Sequence, residues 1–157
     1  MLFVTIGEVR QHCKADSADD AMLTIYADGA EAAAAAFLNR NVYLDVAALD
    51  AARVAVDMTG VHAAYEDAIE AADALTSDLD KQQAIDAANI ALHEAQLNAS
   101  LTLEGMVIVP NVKNAILLIT GHLYRNRDST PMKAGDPIDI PPAAEWLMRP
   151  YRKIGPL

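Results

Sequence analysis

The chain has 157 residues, 53% of them hydrophobic, with a net charge of -10 and a pI near 4.6. That length suits one domain with a modest core, and the acidity excludes a protein that grips nucleic-acid phosphates, since such affinity comes mainly from Lys and Arg. The single cysteine, Cys13, excludes an internal disulfide and a cysteine-based zinc site.

Much of the apolar content is alanine, 31 residues in all. Alanine has the best intrinsic helix propensity, so the composition favours an all-α fold. Ala-rich helices bury little area per residue, which favours neighbouring copies to complete the burial. Glu8 follows MLFVTIG too closely for a signal peptide. No uninterrupted apolar run reaches the roughly 18 residues of a membrane span, so a soluble cytoplasmic product is expected.

Thr5-Ile6-Gly7-Glu8 matches a capping box and predicts a short helix to Cys13 or Lys14. Ser17-Ala18-Asp19-Asp20 is a second start signal, with acids where the helix dipole favours them. Its helix should run through Met22, Ile25, Tyr26, Ala30, Ala33 and Phe37 to about Asn39. The tract AEAAAAAF gives that helix a flat face, and Ala30, Ala33, Ala34 and Phe37 are the predicted contact with a neighbouring subunit. Gly29 leaves room for a close approach there.

Residues 46 to 76 are mostly Ala, Val, Leu, Asp and Glu, with a weak point at Thr59-Gly60. Ser77 is a candidate N-cap, followed by Asp78 and Asp80, for a helix from about Leu79 to Ala99. Its stripe is Ile85, Ala88, Leu92, Ala95 and Ala99. The two segments predict a long helical hairpin. LTLEGMVIV, residues 101 to 109, predicts a short strand or an extended link. Pro110 suits the first turn of a nearly all-apolar helix carrying Val112, Ile116, Ile119 and Leu123. A Pro-, Gly- and Asp-rich linker follows, then a short element from Ala143 to Met148 and a basic end. The predicted architecture is a helical bundle with a long inserted hairpin and an extended C-terminal tail. Residues 1–135 form the helical domain, with 44–105 as the insertion, and 136–157 form the tail.

Few residues suggest chemistry. His62 and Glu66 share a face at i, i+4, as metal ligands can, and HEAQL at His93 begins like a zincin helix but lacks the second histidine. The plainer reading is solvated polar residues. Asp73, Asp78, Asp80 and Asp86 read as caps and solvated acids rather than a carboxylate pair. His12 and Cys13 are adjacent, so their side chains diverge by about 100° and make no nucleophile–base pair. We expect no catalytic residue, metal or cofactor. The densest cluster is His122, Tyr124, Arg125 and Arg127. It either compensates the helix dipole or fixes the following loop and docks a neighbour. The tail holds the only tryptophan, Trp146, beside Leu147 and Met148, with Arg149, Tyr151, Arg152 and Lys153 beyond it. That combination reads as a partner anchor.

Four stretches in order carry a resemblance: VTIGEVRQHCKAD, SADDAMLTIYADGAEAAAAAFLNR, VPNVKNAILLITGHLYRNRDS and IPPAAEWLMRPYR. Together they resemble the head-tail connector (head-completion or adaptor) family of tailed bacteriophages, over residues 4–40 and 109–152. The carrying features are the short capped helix, the long acid-capped helix, the apolar Pro-led helix ending in Tyr124, Asn126 and Arg127, and the closing Pro150-Tyr151-Arg152. Cys13 and Lys14 stand where Leu and Arg are common, and 44–105 is longer than the usual connection.

The resemblance implies a structural virion protein of the neck, made in the host cytoplasm. It implies a ring, typically dodecameric, beneath the portal protein, with a stopper, tail-terminator or other neck protein docking below. DNA would pass through the ring without sequence-specific binding, and an acidic wall would let it slide. The Trp146–Lys153 residues named above would engage the portal, and Tyr124, Arg125 and Arg127 would tie down the linker. A second reading of the same residues is a small acidic helical binding or regulatory module, with a metal at His62 and Glu66.

Overall fold

The structure, a computed structural model, describes residues 1–126 and 140–154. It is mostly helical: α1 (Ile6–Cys13), α2 (Asp20–Leu38), α3 (Val46–Val54), α4 (Met58–Asp73), α5 (Asp78–Leu103), α6 (Pro110–Arg125) and α7 (Pro142–Met148). One-turn 3-10 helices precede α2 at Ser17–Asp19 and follow α7 at Arg149–Tyr151. Two-residue strands β1 (Val42–Tyr43) and β2 (Met106–Val107) pair in parallel. The chain divides into two compact units, Met1–Val46 with Met106–Leu157, and Ala47–Gly105.

In the first unit α6 is central, packed by α1, α2 and α7. Ile116 is 1% and Ile119 0% exposed, as the apolar pattern of that helix predicts. They meet Leu23, Ala27, Ala30, Ala34 and Leu38 of α2, Val9 of α1, and Ala144 and Met148 of α7 in one core. Local chemistry sets the ends. Thr5 and Glu8 form the reciprocal capping box of α1, and Pro110 occupies the first turn of α6. Asn39 closes α2 in the left-handed region at φ 52°, a conformation Asn tolerates better than most residues. The parallel pairing of β1 and β2 needs a long crossover, and residues 44–105 supply it.

In the second unit α4 and α5 pack against each other. They run antiparallel, since Tyr65 donates to Asn89 at 3.1 Å near the middle while Lys81 bridges Asp73 at 2.9 Å beside the connecting turn. Arg53 of α3 donates to the Leu103 carbonyl at 3.1 Å and so fastens α3 to the end of α5.

Two boundaries differ from expectation. The break before α4 falls at residues 55–57, because the Asp57 carboxylate caps the new helix through the Gly60 amide at 2.9 Å. Gly60 thus lies inside α4, where a Cβ would meet Asp57 Oδ2 at 2.5 Å, so a side chain there would make the capping carboxylate shift. Helix α5 runs on to Leu103 and takes up the start of the expected strand. Thr102 there bonds its hydroxyl to the Asn98 carbonyl at 3.0 Å, a helical arrangement, and Gly105 marks the change to extended chain.

Candidate interaction surfaces

The polar end of α6 divides. Tyr124 turns inward and donates its hydroxyl to Asp19 Oδ2 at 2.6 Å, pinning the last turn of α6 to the start of α2. Arg125 is exposed and lines a groove of about 440 Å³ with His12, Leu118, Gly121, His122 and Pro141. Gly121 is what lets α1 come so close: a Cβ there would stand 3.1 Å from the His12 ring. Burial, and secondarily the Arg125 charge, depress the His12 pKa below its ordinary value. Burial also raises the Cys13 thiol, with Arg125 opposing, so Cys13 is no activated nucleophile. Arg127 lies outside the described residues.

The predicted subunit contact needs correction. Ala30 and Ala34 are 0% and 1% exposed and belong to the chain's own core, so neither is available to a neighbour. Ala33 and Phe37 are half-buried, and the Arg152 guanidinium lies over the Phe37 ring at 5.0 Å. The reason is phase: the inner stripe is set by Leu23, Ala27 and Leu38, and Ala30 and Ala34 fall in step with it. The outward face of α2 is instead Met22, Ile25, Gly29, Ala32 and Ala36. These recur at alternating spacings of three and four, the pattern of a helix–helix seam. Met22 is 43% and Ile25 63% exposed, and nothing lies within 4 Å of a Cβ built on Gly29. By length and hydropathy alone Ser17–Leu38 passes as a membrane span. One face of it is core, and 28% of that window is buried inside the chain.

The C-terminal segment also needs correction. Residues 140–154 do not stand apart as a tail. Ala144 and Met148 are fully buried against α6, and Leu147 packs beside them, so Met148 cannot hook a partner. The i, i+4 spacing puts Ala144 and Met148 on the one face that meets the core, with Ile140, Leu147 and Tyr151 packed beside them. Tyr151 accepts from Asn111 at 3.3 Å, the Lys153 amide donates to the Leu38 carbonyl at 2.9 Å, and Arg149 pairs with Glu145 at 3.2 Å. Trp146, by contrast, is 74% exposed and Ile154 89%. Residues 136–139 and 155–157 lie outside the described residues.

In the second unit His62 and Glu66 are both exposed. Among the described residues no group of three or more His, Cys, Asp or Glu is placed to hold a metal ion. What that unit does contain is an apolar groove of about 210 Å³ between α4 and α5. Its walls include Ala64, Tyr65 and Ala68 on one side and Ala91, Leu92 and Ala95 on the other. Sequence reading missed it, because a groove arises only once two helices are paired.

Comparison with protein-family models, with curated proteins and with solved structures gave no match to the chain.

Proposed function

We propose that this protein is a structural virion component, a head-tail connector that assembles into a ring beneath the portal of a tailed phage. In this reading the first unit carries the ring contacts, and residues 44–105 are an inserted hairpin. The observation that carries the reading is the outward seam of α2. Four exposed apolar or small residues, Met22, Ile25, Ala32 and Ala36, stand with the half-buried Gly29 at seam spacing on a helix whose opposite face is already core. Such a seam calls for a second helix, and its small residues let that helix approach closely. A head-to-tail contact between this seam and a different face of the next copy closes into a ring when the rotation fits.

The portal contact falls to Trp146, with Arg149 and Arg152 exposed in the same segment, rather than to the whole C-terminal segment. Exposed Trp and Arg are the residues most often found as interface anchors. No catalytic step is assigned.

The test is assembly of the full chain, read by native mass spectrometry and by electron microscopy of particles alone and on portal-bearing heads. We expect a closed annulus with a central hole, and an Ile25→Glu variant that stays helical but monomeric. A wild-type chain that remains monomeric, free and in the presence of such heads, would refute the connector reading. If Ile25→Glu assembles normally, the seam is not the ring contact.

A further inference from the structure

The net charge is not spread over the chain. Residues 47–105 hold eleven Asp and Glu against two Lys and Arg, and all other residues hold eleven against ten. The unit Ala47–Gly105 therefore carries nine of the ten net negative charges. The same unit barely has a core. Its only buried hydrophobic side chains are Leu49, Ala72 and Ala88. Two paired helices cannot enclose an apolar stripe, so the stripe stays open along the groove between them.

The floor of that groove is shallow and regular. Ala64 and Ala68 on α4, and Ala91 and Ala95 on α5, are each one helical turn apart. Small side chains in such rows admit the ridge of another helix at close range. An extended peptide is a poorer fit, since both walls are helices and offer no sheet edge to pair with. The shoulders are acidic. Asp67 follows Ala64 by three residues and Glu94 follows Ala91 by three, so each lies on the same face as its alanine, and both are exposed. A second copy of this unit would bring the same excess of negative charge and be repelled.

We propose that the α4–α5 groove is a docking site for a basic amphipathic helix of another protein, with Leu or Ala along its apolar stripe and Lys or Arg beside it. Apolar contact to the alanine floor supplies affinity. The acidic shoulders steer the approach and reject acidic helices. The proposal rests on this unit alone and needs no ring, so it and the connector reading can fail separately.

The experiment uses the full chain and two labelled helical peptides with the same Leu/Ala stripe, one flanked by Lys and one by Glu. Fluorescence anisotropy should show binding of the Lys peptide, weakening as salt is added, and none of the Glu peptide. Ala91→Trp blocks the floor at an exposed position, and Asp67→Lys with Glu94→Lys reverses the shoulders. Each should weaken the Lys peptide by about tenfold or more, the effect of losing one good interface anchor, with helicity unchanged by circular dichroism. Equal binding of both peptides, or a Lys peptide indifferent to both variants, would overturn the proposal. So would efficient oxidative cross-linking of an Ala91→Cys variant to itself in a Cys13→Ser background, since a second copy would then fill the groove.

Discussion

Replacing Gly29 by alanine separates the stability of the single chain from that of the assembly. Gly29 lies inside the 19-residue helix α2. A Cβ added there meets nothing within 4 Å, so no clash opposes the gain in helix propensity. That gain is about 1 kcal/mol for Gly to Ala in a helix interior. For a chain of this size it corresponds to a rise in Tm of roughly 2–4 °C. The assay is a thermal melt by far-UV circular dichroism on the dilute, dissociated chain. In the proposed ring the same methyl would lie mid-seam, between Ile25 and Ala32. Overpacking there should cost about 1–3 kcal/mol per contact, or roughly 5- to 150-fold in association. Dilution series by light scattering would read that loss. A lower Tm for the dilute chain would show that Gly29 is not open. Unchanged association would show that α2 does not pack there against another copy.

Two further outcomes are expected in the first unit. Ile119→Ala removes a fully buried side chain from α6 and should lower stability by about 2–5 kcal/mol, seen in urea as a lower midpoint with an unchanged slope; a loss under about 1 kcal/mol would contradict a core centred on α6. Glu8 has its pKa lowered from 4.5 to about 2, first by Lys113, whose ammonium lies 2.7 Å away, and next by the Thr5 amide. A folded-state pKa below the unfolded one stabilises at pH above about 4.5, and that contribution is lost as pH falls toward 2. Lys113→Ala should therefore flatten the fall in the urea midpoint across that window, and identical pH profiles would refute the linkage.

Features written in local backbone chemistry were legible from the sequence. Thr5 with Glu8, Ser77, Pro110 and Asn39 each satisfy or close a helix end by themselves, so no partner has to be known. The identity of the central helix was legible too, because Ile116 and Ile119 sit in a pattern too apolar for a surface helix. Phase within the alanine tract was not. Residues 32–36 are all alanine, so nothing distinguishes an inner face from an outer one. The direction comes from Leu23 and Leu38 at the ends, and extending that phase would have placed Ala30 and Ala34 inside. The Asp57 cap was missed because the nearby Thr59-Gly60 looked like the weaker point, when Gly60 serves the cap. The charge division between the units was countable in advance, but its meaning depended on knowing where one unit ends.

The C-terminal segment packs onto the first unit, yet Trp146 stays exposed. A helix turns 100° per residue, so Ala144 and Met148, four apart, point the same way, while Trp146 points roughly to the far side. Burying the first two against α6 therefore forces the third outward. The fold gains nothing visible from a tryptophan at that position: at 74% exposure most of its surface stays in water. An alanine or lysine at 146 would serve α7 as well. The short anchoring pair also fixes the backbone that carries the tryptophan, since the Lys153 amide and the Leu38 carbonyl hold the chain beyond it. A backbone already held in place has less ordering left to lose when a partner covers its side chains. For the proposed portal contact, a segment folded onto the first unit would therefore serve better than a free tail.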